Sequence, residues 1–159
     1  MTPLTQVLPD AAATERAGAA LARALSPGMV VTLAGDLGAG KTTFARGVLR
    51  GLGWQGAVKS PTYALVEHYP FSNLYLYHFD FYRFDNVDEW DDAGVAECFR
   101  KDAVCLVEWP QRVAARLPAP DVVLAIAFAG DGRVLTAHAN TPAGERCIDA
   151  LAGTPPPTR

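Results

Sequence analysis

The sequence predicts one α/β domain with a mostly parallel central sheet, antiparallel hairpin strands and helices on both faces. The apolar run 29–34 leads through a glycine-rich loop into an amphipathic helix, which makes a strand–loop–helix unit. A second apolar run, 103–108, is typical of a central parallel strand that is buried on both faces. Two pairs of shorter strands, each separated by turn residues, predict hairpins. These pairs are 64–69 with 73–82, and 122–128 with 133–138.

The glycine-rich loop fits the pattern G-x-x-x-x-G-K-[ST], and its flanking strand and helix are the context that this pattern requires. It consists of Gly35, Asp36, Leu37, Gly38, Ala39, Gly40, Lys41 and Thr42, followed by Thr43. Glycines let the backbone approach an anion, and amides at a helix N-terminus form a cradle for phosphate oxygens. Lys41 is expected to reach the β- and γ-phosphates of a nucleotide, and the Thr42 hydroxyl to help hold Mg²⁺. The predicted fold is therefore a P-loop NTPase domain.

Local signals predict the remaining elements. Residues 5–8 are a weak strand candidate, and Asp10 has the chemistry of an N-cap for an Ala-rich helix over 11–25. Acidic residues between 85 and 100 predict a helix with a solvated charged face, and a docking surface for a basic partner is the alternative. A short helix is expected between residues 141 and 151.

Length and composition fit one globular domain. The chain has 159 residues, of which 50% are hydrophobic and 19% are charged. We assign residues 1–152 to the P-loop domain and residues 153–159, with three consecutive prolines, to a disordered tail. No apolar run approaches the ~20 residues that span a bilayer, and no signal peptide is evident, so we expect a cytoplasmic protein without membrane contact. The net charge of -3 gives no support for a broad nucleic-acid or anionic-membrane surface, and we expect no DNA partner.

Cysteines and histidines carry no recognisable metal or disulfide pattern. The three cysteines are odd in number and form no C-x-x-C pair, and the three histidines are scattered. We therefore expect no disulfide framework or zinc site from the cysteines, a small core residue at Cys105, and structural or surface roles for the three histidines. The six residues are Cys98, Cys105, Cys147, His68, His78 and His138.

Two acidic residues end predicted strands, where open α/β sheets place their ligands. Glu108 and Asp80 are both expected to hold Mg²⁺ or to orient the attacking water, and the sequence does not separate these roles. Thr62, with Ser60 as the alternative, is the candidate hydroxyl that senses the γ-phosphate, although capping of a turn would explain either residue equally well. Trp109 is expected to pack against the loop. We expect the site residues to face solvent, so that their variants still fold.

Different classes of P-loop protein require different additional sequence motifs. A GTPase needs an N-K-x-D motif, and this chain has no Asn-Lys pair. A small-molecule kinase stays open because Arg112 and Arg116 follow the strand of Glu108 and could serve in a lid. A nucleotide-dependent binding module without useful hydrolysis also stays open. The residues that contact adenine are not fixed, and the segments 9–10 and 130–133 are candidates only.

Four segments in a specific order and spacing carry a resemblance. They are Gly35–Phe44, Lys59–Tyr63, His78–Arg83 and Val107–Pro110. Together they resemble the blocks of the TsaE (YjeE) family, small bacterial ATPases needed for the threonylcarbamoyladenosine modification of tRNA. The resemblance covers about residues 5–150. One departure is Phe81, where the family more often has leucine.

The resemblance implies an ATP and Mg²⁺ site at the loop. Thr42 and Glu108 would hold the metal, Thr62 would lie on a switch-like segment, and Asp80 and Trp109 would lie near the γ-phosphate. The family acts as an accessory to TsaB and TsaD, of which TsaD performs threonylcarbamoyl transfer, so tRNA would be met only through that complex. The isolated protein is expected to hydrolyse ATP weakly, and hydrolysis would reset the complex between turnovers.

Overall fold

A seven-stranded mixed sheet runs through the protein, whose computed structural model describes residues 3–153. The strands are β1 Leu4–Leu8, β2 Val30–Ala34, β3 Val66–Pro70, β4 Tyr75–Asp80, β5 Ala103–Glu108, β6 Val122–Ala129 and β7 Gly132–Ala139. The α-helices are α1 Ala11–Ala22, α2 Lys41–Gly51, α3 Asp88–Ala93 and α4 Pro142–Leu151, and Val95–Cys98 and Pro110–Val113 are 3-10 helices.

The strand order is β1-β7-β6-β2-β5-β4-β3. The four central strands are parallel, since β2 pairs in parallel with β5 and β6, and β5 pairs in parallel with β4. The outer pairs β3–β4, β6–β7 and β1–β7 are antiparallel. The predicted mostly parallel sheet with two hairpins is therefore confirmed. The carboxyl ends of β2, β4 and β5 meet at one edge of the sheet, which is where ligands bind in this class of fold.

Helices cover both faces of the sheet, as predicted. Alternate side chains of β5 point to opposite faces, so Leu106 joins one core cluster and Val107 the other. The larger cluster packs under α1, α2 and α4, and Phe44 of α2 is fully buried in it. The smaller cluster lies under α3 and the two 3-10 helices, and it contains Phe79 and Trp90. The central strand β5 is consequently buried along its whole length.

The helix predicted over residues 85–100 is wrong in extent. An α-helix forms only over Asp88–Ala93, because Gly94 adopts a left-handed conformation with φ 68° and ends it. A 3-10 helix then follows. The acidic surface is partly neutralised within the fold, since the guanidinium of Arg116 pairs with both Asp88 and Asp91 at 3.2 Å.

Further boundaries of helices and strands differ from their predictions, and the predicted tail lies mainly outside the described residues. The first helix ends at Ala22 instead of residue 25, although Asp10 caps it as predicted by accepting a 2.8 Å hydrogen bond from the Ala13 amide. Strand β3 begins at Val66 because Leu65 has a positive φ of 73° and donates its amide to a turn instead of the sheet. The tail prediction falls mainly on residues 154–159, outside the described residues. No helix between residues 3 and 153 has both the length and the apolar character needed to cross a membrane.

Candidate nucleotide-binding site

The predicted phosphate loop connects β2 to α2, and its backbone depends on glycine at two positions. Gly40 precedes the first residue of α2 with a left-handed φ of 110°. A β-carbon at Gly35 would lie 2.6 Å from the Ile126 carbonyl oxygen, which leaves no room for a side chain. The loop is therefore packed closely against Ile126 of β6, while its other side stays open.

A cleft of about 260 Å³ opens on one side of this loop. Its lining combines the loop with residues from three other segments: Leu37, Gly38, Gly40, Lys41, Thr42, Thr43, Thr62, Asp80, Glu108 and Trp109. Asp80 lies opposite Glu108 in the parallel register of β4 and β5, and Glu108 lies opposite Leu33 of β2. The structure thus brings together most of the residues predicted for the site. Gly35, Asp36 and Ala39 belong to the loop but do not line the cleft.

The two strand-end carboxylates have different hydrogen-bond partners. Asp80 uses both oxygens, since Oδ1 accepts from the Tyr82 amide at 2.8 Å and Oδ2 accepts from the Thr62 hydroxyl at 3.2 Å. Glu108 uses Oε2 for a 2.5 Å contact with His78 Nε2. No protein group within residues 3–153 donates to Oε1 of Glu108. Glu108 therefore keeps one uncommitted oxygen, and Asp80 does not.

Lys41 lies between the loop and an aromatic ring. Its ammonium donates to the carbonyl oxygens of Gly35 and, at 3.5 Å, Asp36, and it lies 4.2 Å from the centre of the Trp109 ring. Burial lowers the pKa of Lys41 below its usual value, and the carboxylates of Glu108, Asp80 and Asp36 act against this shift. An anionic ligand in the cleft would favour the charged form of Lys41 further. Trp109 itself has a left-handed backbone, with φ 55°.

The expectation that the site residues face solvent is wrong. The exposed fractions of Lys41, Asp80 and Glu108 are only 6%, 7% and 3%. These side chains lie at the base of the cleft because β4 and β5 are interior strands and α2 covers this face of the sheet. Substitutions there consequently affect packing and buried hydrogen bonds as well as ligand contacts.

The segment that carries Thr62 is tied to the end of β4. The Thr62 hydroxyl contacts both Asp80 and, at 2.8 Å, the hydroxyl of Ser60, so the two candidate hydroxyls belong to one network. The carbonyl of Leu65 accepts a 3.0 Å hydrogen bond from the Asp80 amide. Next to Thr62, the ring of Tyr63 is 85% exposed. Asp80 thus connects the sheet to a loop whose tip is open to solvent.

Arginines surround the cleft, but none of those within residues 3–153 lines it. The guanidinium of Arg83 lies 4.3 Å from the Tyr63 ring centre, and that of Arg112 donates to the Phe84 carbonyl oxygen at 3.1 Å. Arg116, one of the two candidate lid residues, is held by the acids of α3. The geometry gives no support to an arginine lid of the kind that a small-molecule kinase needs.

Two contacts at the site were not predicted, although Arg133 lies in the segment 130–133 that the sequence offered for contacting adenine. Arg133 of β7 donates to the carbonyl oxygens of Ala39 at 3.0 Å and Gly38 at 3.2 Å, and nothing in the local sequence indicates this long-range contact. His78 contacts Glu108, although we expected a structural or surface role for it. Strand alternation offered a signal here, because residues 78 and 80 on one strand point to the same face.

A second cleft of about 190 Å³ lies on the other side of the loop. It is lined by Leu8, Asp10, Ala11, Thr14, Gly38, Ala39, Gly40, Thr43, Asp131, Gly132 and Arg133. This lining contains residues of both segments that the sequence offered for contacting adenine. The phosphate loop therefore separates a charged cleft from a smaller cleft of mixed polarity.

Oxygen donors dominate the charged cleft. Carboxylates, a hydroxyl and phosphate oxygens are the ligands that Mg²⁺ prefers, and Mg²⁺ usually needs only one or two carboxylates beside the nucleotide. No group of three His, Cys, Asp or Glu side chains converges as a protein-only metal site in the part of the chain that the structure describes. Thr42, Asp80 and Glu108 fit a Mg²⁺ ion that is held jointly with a nucleotide.

The strand–loop–helix unit and the acids at the neighbouring strand ends define a P-loop NTPase domain. Residues 8–135 match the family model described as threonylcarbamoyl adenosine biosynthesis protein TsaE, and the chain belongs to this family. It is 40% identical over 157 residues to the tRNA threonylcarbamoyladenosine biosynthesis protein TsaE of Haemophilus influenzae, covering 96% of this chain and 99% of that protein.

Further relatives agree with this assignment. The Bacillus subtilis protein of the same name is 47% identical over 105 residues, which cover 66% of this chain and 65% of that protein. The crystal structure of Bacillus subtilis YdiB superposes with a TM-score of 0.81 at 33% identity, over 96% of this chain and 95% of that one. The resemblance of the four sequence blocks to the TsaE family is therefore confirmed.

Proposed function

We propose that the protein is a weakly hydrolysing ATPase that binds Mg-ATP and supports the threonylcarbamoylation of adenosine 37 in tRNA through a TsaB–TsaD complex. The single observation that carries this proposal is the convergence of the phosphate loop with Asp80 and Glu108 in one cleft. The names of the relatives supply the pathway, since they are tRNA threonylcarbamoyladenosine biosynthesis proteins.

The proposed nucleotide lies across the loop. Its triphosphate occupies the charged cleft, where the loop amides and Lys41 bind phosphate oxygens. Lys41 must exchange its contact with the Gly35 carbonyl for a phosphate contact when the nucleotide enters. The base and ribose extend toward the smaller cleft, whose lining includes the charged residues Asp10, Asp131 and Arg133.

The carboxylates take separate roles in this proposal. Mg²⁺, when bound, would neutralise charge that develops in phosphoryl transfer. Thr42 and Glu108 would hold the metal or its water, and Glu108 has one oxygen, Oε1, without another partner within residues 3–153. Asp80 holds Thr62 in place, and a γ-phosphate that attracts the Thr62 hydroxyl would pull on the exposed loop at Tyr63.

The small number of positive charges in the cleft is the reason that we propose slow turnover. Phosphoryl transfer depends on positioning and charge stabilisation, and an arginine often supplies part of that charge. Lys41 is the only lysine or arginine among the residues that line the charged cleft. We therefore propose that a partner protein completes the site, that the isolated chain turns over slowly, and that tRNA is reached only through the TsaB–TsaD complex in the cytoplasm.

An ATPase assay with and without the TsaB–TsaD complex tests this proposal. The complex should raise the rate of phosphate release, and Lys41→Ala and Glu108→Ala should abolish the increase. Lys101→Ala and Glu97→Ala, which change exposed residues away from the cleft, are matched controls and should behave like the wild type. Lack of stimulation by the complex would overturn the proposed function, and so would a full rate in Lys41→Ala.

A further inference from the structure

His78 is the fully buried neighbour of the acid at the end of β5. It lies on β4 two residues before Asp80, and its side chain is 0% exposed. The ring nitrogen Nε2 is 2.5 Å from Oε2 of Glu108, whose side chain is only 4% exposed. In the sheet register His78 pairs with Leu106, so it reaches Glu108 along the diagonal between neighbouring parallel strands.

Only one of the two ring nitrogens of His78 has a hydrogen-bond partner within residues 3–153. The carboxylate oxygen accepts, so the geometry fits the tautomer of His78 that carries its proton on Nε2. The other ring nitrogen, Nδ1, is buried and has no partner within residues 3–153. A buried polar atom without a partner lowers stability, and an apolar side chain of similar size would avoid that loss. Within this part of the chain, the contact with Glu108 is the only polar contact that the ring makes.

That contact decides how Glu108 is presented to the cleft. A free glutamate side chain can rotate about its last bond and offer either oxygen. With Oε2 held by His78, the carboxylate has one orientation, and Oε1 is the oxygen left for a ligand in the cleft. Carboxylates that ligate metals are commonly held by such outer hydrogen bonds, and loss of the outer partner typically lowers metal affinity or activity roughly 10- to 100-fold.

We propose that His78 is a positioning residue, which fixes the Glu108 carboxylate so that one oxygen faces the Mg²⁺ or water of the bound nucleotide. This inference rests on the proposed function, because it assigns His78 a role toward a metal-bound nucleotide. It predicts an effect on Mg²⁺ dependence that is separate from nucleotide affinity. Lys41 and the loop amides bind phosphate without contact to His78, so binding of ATP without Mg²⁺ should survive a change at His78.

The test compares His78→Leu with His78→Gln. ATP affinity is measured by calorimetric titration at a series of Mg²⁺ concentrations. The quantity compared is the Mg²⁺ concentration at which ATP affinity has reached half of the increase that Mg²⁺ produces. We expect His78→Leu to raise that concentration roughly tenfold or more. The ATP affinity without Mg²⁺ should change less than about twofold. In His78→Gln the amide nitrogen can donate to Oε2, so this variant should recover most of the loss. With the partner complex, kcat should fall in His78→Leu while the KM for ATP stays near its wild-type value.

A control separates this role from packing. Leu76→Ala removes a fully buried side chain from the same strand and face, which does not contact Glu108, and it should leave the Mg²⁺ dependence unchanged. An equal shift in Leu76→Ala would overturn the role of His78, and so would wild-type Mg²⁺ dependence in His78→Leu. If the wild type itself shows no Mg²⁺-dependent ATP binding, the proposed function fails and this inference fails with it.

A spectroscopic measurement covers the case in which His78→Leu does not fold. In the ¹⁵N-histidine-labelled wild type, the imidazole of His78 should show a proton on Nε2 whose signal moves when Glu108 is replaced by glutamine. His78→Gln should then still show a Mg²⁺ dependence within a few-fold of the wild type. A proton on Nδ1 instead of Nε2 would overturn the proposal, and so would a signal that is insensitive to Glu108→Gln.

Discussion

Replacing Gly47 with alanine tests how closely the helix of the phosphate loop packs against its neighbour. Helices α1 and α2 approach each other most closely at two glycines, Gly18 and Gly47. A β-carbon at Gly47 would lie 2.0 Å from the carbonyl oxygen of Glu15, and one at Gly18 would lie 2.2 Å from that of Phe44. Both obstacles are backbone atoms of the partner helix. Neither helix can therefore accept a side chain at these positions without moving.

The size of the effect follows from two opposing contributions. In an open helix, alanine in place of glycine is stabilising by roughly 0.5–1 kcal/mol. Here α1 and α2 must separate by about 1 Å, since β-carbons essentially never come within 3.0 Å of such an atom, and overpacking of this kind typically costs 1–3 kcal/mol, or more. We expect Gly47→Ala to lower the free energy of unfolding by about 2 kcal/mol, which is roughly 4–8 °C in Tm.

Thermal unfolding, together with urea titration, measures this loss. Gly51→Ala is a graded control, because its β-carbon would meet atoms of α1 at 2.8–3.0 Å and should be tolerated better. ATP affinity should also fall in Gly47→Ala, since α2 begins at Lys41 and moves with its loop. An increase in stability of Gly47→Ala over the wild type would refute the close approach of the two helices.

Three further predictions concern the loop, the site and the buried thiols. Arg133→Met removes two hydrogen bonds to loop carbonyl oxygens and should weaken ATP binding roughly 5- to 30-fold, as measured by calorimetry. The control Arg146→Met, at an exposed residue, should bind ATP like the wild type. Equal ATP affinities of Arg133→Met and the wild type would contradict a role of this contact in shaping the loop. Because Trp109 has a left-handed backbone, Trp109→Gly should be more stable to urea than Trp109→Ala by about 1 kcal/mol, and the reverse order would contradict it. Burial raises the pKa of Cys105 and of Cys147 to about 12, above the pKa of a thiol in the unfolded chain. At pH values between these two pKa values, the folded state therefore binds more protons than the unfolded state. The free energy of unfolding, measured in urea, should therefore fall as the pH rises above about 9, by up to ~1.4 kcal/mol per pH unit for each thiol. If the variant with both Cys105→Ala and Cys147→Ala lost as much stability with pH as the wild type, these thiols would be excluded as the cause.

The parts of the site that were predictable depend on local chemistry or on simple topology. The glycines and Lys41 of the loop follow one another in the sequence, so their conformation is set within a few residues. Asp80 and Glu108 are 28 positions apart, but both end strands, and the ends of parallel strands meet at one edge of the sheet. Their convergence could therefore be expected without knowing any side-chain contact.

The contacts that were missed depend on tertiary packing and on the register between strands, which the local sequence does not specify. Arg133 reaches the loop across 94 positions in sequence, and the pairing of His78 with Glu108 depends on the exact register of β4 and β5. The burial of Lys41 at the base of the cleft likewise results from packing of α2 on the sheet. Gly94 was visible in the sequence, but only the structure shows that its left-handed conformation ends the acidic helix.

The most direct measurement of the central claim is the affinity of the isolated chain for ATP in the presence of Mg²⁺. We expect the wild type to bind ATP, and Lys41→Ala, which removes the charged donor to the phosphates, to weaken binding roughly 10- to 100-fold. The exposed control Lys101→Ala should bind like the wild type. Absence of ATP binding by the wild type, or equal binding by Lys41→Ala, would contradict the assignment of the loop between β2 and α2 as a nucleotide site.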